Sequence, residues 1–290
     1  LPDVPLYSSS WDADFGSFFA HTSSRILSEN TKPLTPEEFV EQYTKISTAA
    51  NAIPEKEYYD GLIVELPPIK GLQDIEVSLA SCFKDRKTSR NFHRTPIELE
   101  SVSTVLYAGF GNLHENDDEF TSVNLKNTVV RRSSPSATGL ASCDAILWSN
   151  RIEGLEKGLY AYNGQTHSLH KHSVIMTEEE LVYALFDQFW AKDLAAGIFV
   201  VHDLRRTWIK DISARGYISC YLEAGHISQN ILLSATALKL NTWISGAFRD
   251  DILQNILHLP YYRFASLFIG MGSGTNEAIP KQYLEILEQQ

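Results

Sequence analysis

Two short stretches of this chain concentrate the groups that bind phosphate. Arg86-Lys87-Thr88-Ser89-Arg90 offers a guanidinium fork, an ammonium, a hydroxyl and a second guanidinium within five residues. Hydrogen bonds from such cations are shorter and stronger than neutral ones. The second stretch is Arg131-Arg132-Ser133-Ser134-Pro135-Ser136-Ala137-Thr138-Gly139-Leu140. Its small residues let backbone N–H groups approach a ring or a phosphate closely. Together they suit a phosphorylated ligand. Taken singly, each has a plainer reading. The first is also a solvated basic turn, where cations suit the C-terminal dipole of a preceding helix; the second is also an ordinary polar loop.

A third segment holds Arg215-Gly216-Tyr217 and then Leu222-Glu223-Ala224-Gly225-His226, followed by Gln229-Asn230. Glu223 and His226 are spaced i, i+3 on a predicted helix and share a face. A di-iron site would need a second Glu-x-x-His and two more helix glutamates. The sequence has no second copy, so a polar packing network is expected there instead. His167, His170 and His172 lack a nearby acidic partner and read as exposed hairpin histidines rather than a zinc site. No metal is expected. Gly270-Met271-Gly272-Ser273-Gly274 follows a predicted strand without opening a helix, and reads as a flexible exit loop.

The elements that must position these groups mix helix and strand without a repeated βαβ unit. That order predicts an α+β fold. Helices are expected over 15–27, 35–47, 74–83, 95–109, 177–189, 217–238 and 250–257. Thr35-Pro36-Glu37-Glu38 and Thr177-Glu178-Glu179-Glu180 supply start signals. Strands are expected over 145–148, 158–162, 166–169, 195–201, 242–245 and 265–269, with Asn163-Gly164 as a hairpin turn. Ile53-Pro54 and Leu66-Pro67-Pro68 interrupt regular structure. Residues 1–80 therefore read as an N-terminal extension and 81–290 as the catalytic domain.

Composition narrows the class. The chain has 290 residues, 43% of them hydrophobic, and a net charge of -11 from 36 acidic and 25 basic residues. That balance disfavours nucleic acid and anionic membrane surfaces as partners. Cys82, Cys143 and Cys220 show no metal or disulfide spacing. No apolar run approaches the ~20 residues of a membrane span. Leu1-Pro2-Asp3 lacks the basic start of a secretory signal, so a cytoplasmic protein is expected.

Taken in order, the segments resemble the flavin-dependent nitroreductase superfamily and, more narrowly, its SagB-type branch of azoline dehydrogenases. The matching pieces are Arg86-Lys87-Thr88-Ser89-Arg90-Asn91-Phe92, Arg131-Arg132-x-x-Pro135-Ser136 and Gly158-Leu159-Tyr160-Ala161-Tyr162. They continue through Arg215-Gly216-Tyr217, Leu222-Glu223-Ala224-Gly225-His226-x-x-Gln229-Asn230, Ser245-Gly246-Ala247-Phe248 and Leu267-Phe268-Ile269-Gly270. The resemblance implies a mainly antiparallel central sheet wrapped by helices, in a homodimer with FMN at the subunit interface. It implies that Arg86, Lys87, Thr88 and Arg90 hold the FMN phosphate, ribityl chain and pyrimidine edge. Pro135, Ser136, Ala137 and Thr138 would line the flavin from the other subunit, and Ser245 and Gly246 would face its ring. The long helix from Tyr217 would belong to the dimer core.

The resemblance further implies FMN-dependent oxidation of a thiazoline or oxazoline to the azole, on a peptide or carrier-bound substrate, alongside other biosynthetic enzymes. The chain departs from the branch in two places. The branch reads Pro-Ser-Gly-Gly-Ala-Leu-Tyr-Pro where this chain continues from Pro135 to Ala141-Ser142, without the aromatic. The branch also carries Lys-Tyr before Arg-Gly-Tyr, where this chain has Asp211 and Ile212. Lys210, one residue earlier, is the first candidate base and Asp211 the second, with Tyr217 a hydrogen-bond donor. Two alternatives stand beside this reading: an NAD(P)H-dependent reductase of nitro, quinone or alkene substrates, and a catalytically altered scaffold in a modification complex.

Overall fold

Seven strands form one wholly antiparallel sheet in the order β1-β5-β4-β3-β6-β8-β7 in the computed structural model. The structure describes residues 33–51, 59, 61–69, 76–113, 131–137, 139–209 and 214–289. The helix expected over 15–27, the stretch 114–130, and Thr138, Lys210 and Asp211 lie outside the described residues. The strands are β1 (Ile63–Glu65), β3 (Cys143–Ser149), β4 (Gly158–Asn163), β5 (Ser168–Lys171), β6 (Ala196–Asp203), β7 (Asn241–Ser245) and β8 (Arg263–Gly272). A separate two-stranded ribbon pairs β2 (Asn91–Phe92) with β9 (Gly274–Thr275).

Strands β3 and β6 are buried along their whole length. That is why 195–201 at β6 reads as a continuous apolar run rather than as an alternating one. One face carries Cys143, Ala145, Leu147, Ile198, Val200 and Ile269 against the long helix α6 (Ala214–Ala237) and α3 (Leu99–Phe110). The other face carries Ile146, Trp148, Phe199, Val201 and Phe268 against α4 (Glu178–Ala184) and α7 (Asp250–Ile256). Gly109 lets α3 approach α6, because a Cβ there would meet Ile231 at 2.8 Å.

Helix starts follow their caps. In α1 (Pro36–Asn51) the Thr35 hydroxyl accepts the Glu38 amide while the Glu38 carboxylate accepts the Thr35 amide. Thr177 and Glu180 form the same box at α4. Several boundaries differ from the sequence expectation, each for a local reason. Helix α2 (Leu79–Asp85) begins five residues later than 74, because the Ser78 hydroxyl accepts the Ser81 amide and ends the extended segment. Helix α3 begins after Glu98 because Ile97 forms a bridge with Ile152 and donates its amide to Arg151. Helix α4 ends early, since Phe186 and Asp187 have φ of 55° and 56°.

The β4–β5 turn is longer than the expected Asn163-Gly164 pair: Asn163 pairs with Ser168, and its Oδ1 accepts the amides of Gln165 and Thr166. The glycines at 270 and 272 are strand residues of β8, not an exit loop. A Cβ at Gly270 would collide with Leu194, which explains a glycine inside the strand. Three short helices complete the chain: α5 (Leu204–Trp208), α7, and α8 (Lys281–Glu288) at the end. No described helix is long and apolar enough to cross a membrane.

Two glycine substitutions separate packing from backbone effects. At Gly197 a Cβ would strike the ring of Phe268, which is itself packed against Phe199 and Trp243. Gly197→Ala should lower unfolding free energy by about 1–3 kcal/mol. At Gly225, inside α6, nothing lies within 4 Å of the added atom. Gly225→Ala should raise it by roughly 0.5–1 kcal/mol. Urea titration followed by circular dichroism checks both signs.

Candidate functional site

The first cationic cluster follows α2 and is pinned to β7. Thr88 bridges Thr242, and the amide of the fully buried Ser89 donates to the Thr242 carbonyl at 2.8 Å. The next residues are tied to the segment after β9. Arg90 donates from its amide to Glu277 and from Nη1 to the Ala278 carbonyl at 2.7 Å, and its guanidinium lies 5.4 Å from the Trp190 ring. Asn91 donates to the carbonyls of Glu277 and Ile279 and accepts the Lys281 amide. Among the described residues, the side chains of Arg86 and Lys87 form no hydrogen bond or ion pair. Two cations are thus held at a fixed place on the sheet with their charge uncommitted.

At the other end of β7, Ser245 accepts the Ala247 amide and a hydrogen bond from Gln188 Nε2 at 3.1 Å. Gln188 also donates to the carbonyls of Leu185 and Ala247. The turn is therefore braced from below. Gly246 is exposed, and a Cβ on it would make only ordinary contacts, 3.6 Å from Leu267 and 3.7 Å from the Ser266 carbonyl. Nothing in the folded chain requires a glycine there, so its open surface is free for a flat group to approach. Three residues of extended strand, ~10 Å, separate Thr242 from Ser245.

The second cluster sits on α6. Arg132 donates to the Cys143 carbonyl at 2.7 Å and lies over Phe110. Asn230 donates to the hydroxyls of Ser133 and Ser134 at 2.9 Å each. The centre of this arrangement is Glu223, only 4% exposed. Its carboxylate accepts from the Ser136 hydroxyl at 3.1 Å, the Ser142 hydroxyl at 3.0 Å and the Cys143 amide at 3.4 Å. Glu223 is therefore the expected packing group: it organises residues 136–143, and His226 beside it is exposed. No metal-binding cluster exists among the described residues. Pro135 and Ala137 face solvent. No hydrogen bond or ion pair among the described residues joins this loop to residues 86–90.

Tyr217 lies on α6 one turn before Tyr221, and their hydroxyls are 2.8 Å apart. Both rings pack on Phe264, at 5.3 and 5.8 Å. Phe264 stacks in turn on the buried His202 at 4.8 Å. Burial, with the Tyr217 hydrogen bond next, pushes the Tyr221 phenol well above its ordinary range, and Asp250 adds to the rise. Asp250 opens α7, four residues beyond Gly246. Phe264 is two residues from Ser266, the neighbour of Gly246. Tyr221 was not among the sequence candidates, although its i, i+4 spacing from Tyr217 was a usable signal. Gln188, which braces the Ser245 turn, carried no local signal; Asn91 stood inside the first matching motif without a role assigned to it.

His202 continues inward. Its Nδ1 is 3.3 Å from Cys143 Sγ and its Nε2 is 2.7 Å from Ser266 Oγ. Ser266 is the extra residue where the β6–β8 register shifts between Val200 and Val201. The hairpin histidines are not exposed as expected. His167 bonds Ser103 at 2.7 Å and Tyr162 at 2.8 Å, His170 is half-buried, and His172 is 4% exposed. Helix α3 covers His167 through Ser103 and Tyr107, and Tyr59 and His258 pack on His172, partners that the sequence of the hairpin alone cannot show. The three cysteines are buried and unbridged.

Comparison with known proteins gives three findings. Residues 83–273 match the Nitroreductase family. A protein of Methanocaldococcus jannaschii named as a nitroreductase, MJ1384, is 27% identical over 214 residues, covering 73% of this chain and 97% of that protein. Among solved structures, a nitroreductase of Ralstonia eutropha shares the fold with TM-score 0.60 and 17% identity, over 76% of this chain and 98% of the other. A chain of the Escherichia coli microcin synthetase McbBCD complex, solved with truncated pro-MccB17 bound, gives TM-score 0.55 and 15% identity, over 86% and 100%.

The buried imidazole sets a pH dependence. Burial lowers the His202 pKa from 6.5 to about 4. As pH falls, the unfolded chain takes up this proton first. Stability is therefore whole above about pH 6.5 and declines between 6.5 and 4, by roughly 3 kcal/mol from this group. His202→Asn should flatten that slope in urea titrations run across the same pH range. An unaltered slope would show that another group carries it.

Proposed function

This chain belongs to the nitroreductase family, and from that premise we propose that it is an FMN-dependent oxidoreductase that converts a thiazoline or oxazoline to the azole. The carrying observation is the pair of uncommitted cations, Arg86 and Lys87, at one end of β7 with the open Gly246 at the other. Uncommitted cations suit a phosphate, and an open glycine suits the flat ring of the same molecule. Arg86, Lys87, Thr88 and Arg90 hold the phosphate, ribityl chain and pyrimidine edge in this reading. Ser245 and Gly246 border the ring. Pro135, Ser136, Ala137 and Thr138 of a second copy complete the lining in a homodimer. The exposed Tyr217, Tyr221 and Leu222 on α6 agree with a helix that meets a partner as well as its own sheet.

Bound FMN supplies two-electron redox chemistry. The chain's task is to hold the substrate ring and to move its proton. Lys210 takes the proton from the azoline ring carbon, with Asp211 as the second candidate. The Tyr217–Tyr221 pair donates a hydrogen bond to the ring nitrogen. Tyr221 remains protonated throughout the working range, because burial raises its pKa. The ordered motifs support an azoline substrate, carried on a peptide or carrier protein, and the fold shared with the microcin synthetase chain is compatible with it. A reductase driven by NAD(P)H is the second reading. It is favoured by the nitroreductase name of the Methanocaldococcus relative, which this chain covers almost end to end.

The purified protein should be yellow and release FMN, identified by absorbance and mass. Arg86→Ala and Lys87→Ala should each weaken FMN binding by about tenfold or more, the cost of one charge-assisted hydrogen bond. Gly246→Val should retain the native circular dichroism and lose the flavin bands. A colourless wild-type protein that takes up no added FMN sinks the cofactor reading.

Two further measurements choose the reaction. Lys210→Ala should keep its flavin while azoline oxidation falls by about 10²–10⁴-fold. Unchanged turnover removes Lys210 from the mechanism. Rapid anaerobic bleaching by NADPH, without azoline turnover, would select the reductase.

A further inference from the structure

A cavity of 710 Å³ opens on the face of the sheet opposite α6. Asp144, Asp203 and Arg263 line it, and they alternate with Cys143, His202 and Phe264, whose side chains turn toward α6. Lys171 pairs across strands with Tyr160 of the α6-face core, so its ammonium meets Glu156 on that face and takes no part in the cavity. Arg263 opens β8 and Gly272, beside the cation cluster, closes it. The cavity is therefore about 30 Å from the uncommitted cations by strand length. Its size suits a small organic ligand.

Its two ends differ. At one end, two ion pairs balance each other's charge. Arg205 forms a fork with Asp203 at 2.6 Å and lies over the Tyr262 ring at 4.0 Å. Arg263 donates from Nη2 to Asp144 at 3.1 Å. That bond does not satisfy the Arg263 guanidinium. Its Nε is buried with no hydrogen-bond partner, and its Nη1 forms no hydrogen bond among the described residues. Donors left over in a side chain only 18% exposed ask for an acceptor that a ligand brings. At the other end, Tyr59 packs edge-on against the His172 imidazole with ring centroids 3.9 Å apart, and the His258 ring is 4.7 Å from that of His172. The Tyr59 hydroxyl donates to the Leu257 carbonyl at 3.2 Å, which holds the phenol in place. Burial pushes the Tyr59 phenol up to about 12 and the Arg263 charge opposes the rise, so the guanidinium lies within electrostatic reach of that ring.

The wall sets the charge of the ligand. Two carboxylates stand beside the two guanidiniums, so an anion would meet repulsion as well as attraction. A cation would find both carboxylates already engaged, on side chains 9% and 5% exposed. What fits is an acceptor oxygen without net charge, on a body flat enough to lie along aromatic rings. We propose that this cavity binds an uncharged aromatic amide, with its carbonyl oxygen on Arg263 and its ring against Tyr59. The site is independent of the flavin assignment.

Ligand-observed NMR titration of the full chain with benzamide, benzoate and benzamidine compares molecules of one shape and different charge. Benzamide should bind saturably, and each of the two ions should bind about tenfold more weakly or worse. N-acetylphenylalanine methylamide separates the sources of the same chemistry. Binding at least as tight as that of benzamide identifies a peptide amide beside an aromatic side chain; weaker binding identifies a free small amide. Replacing the buried pair together, Asp144→Asn with Arg263→Met, leaves no uncompensated charge and should weaken benzamide binding by about tenfold or more. Tyr59→Leu, at the other end, leaves both ion pairs in place and should weaken it several-fold. Flavin content should be the same in all three proteins. Binding of either ion that equals or exceeds that of benzamide overturns the proposal. So does benzamide affinity that neither variant changes, or saturable binding by neither amide.

Discussion

A carboxylate cannot be placed in a protein interior without donors, and Glu223 meets that demand from three directions. Its partners, Ser136, Ser142 and the Cys143 amide, belong to the chain that enters β3. Helix α6 is thereby locked in register against the central strand rather than merely packed on it. Apolar contacts such as Ile227 and Ile231 would tolerate sliding along the helix axis; a set of directed hydrogen bonds in a dry site does not. Asn230, two turns further along, extends the same lock to Ser133 and Ser134. The loop that carries the second cluster of small residues is thus shaped by the helix.

Strand β8 distributes the chemistry. It pairs with β6 on one side and β7 on the other, and it runs from Arg263 to Gly272. Near its start, the aromatic stack of His202, Phe264, Tyr217 and Tyr221 occupies one face, and the polar cavity occupies the other. The register shift at Ser266 lets that residue reach His202 while its carbonyl lies beside Gly246. At its far end the strand meets β7, which carries the cationic cluster through Thr242. A single rigid strand thereby sets the spacing between the uncommitted cations and the Gly246 turn. Rigid elements hold such spacings better than loops do.

Much of this was legible in the chain. The continuous apolar run of β6 announced a strand buried on both faces, and Thr177 with Glu180 announced a helix start. Both are local signals, set by side chains within a few residues of one another. Of the boundaries that differed, one was moved by a distant partner, Ile97 against Ile152; two turned on short-range side-chain caps, Ser78 at the start of α2 and Asn163 in its own turn. Two histidines of the β4–β5 hairpin looked exposed because the groups that cover them are far away in sequence: Ser103 and Tyr107 for His167, Tyr59 and His258 for His172.

The order of its short motifs identified the family from sequence, because residues that bind phosphate or line a ring are constrained in type whatever surrounds them. Which of those residues are free to bind was decided by folding. Arg86 and Arg90 are chemically alike, yet Arg90 is engaged by Ala278 and Trp190 and Arg86 is not. Tyr221 has its hydroxyl partner one turn away on its own helix, but the burial that raises its pKa comes only from packing against β8. Charge and hydrogen-bonding capacity are properties of a side chain; whether they are already satisfied depends on neighbours that only the tertiary structure brings near.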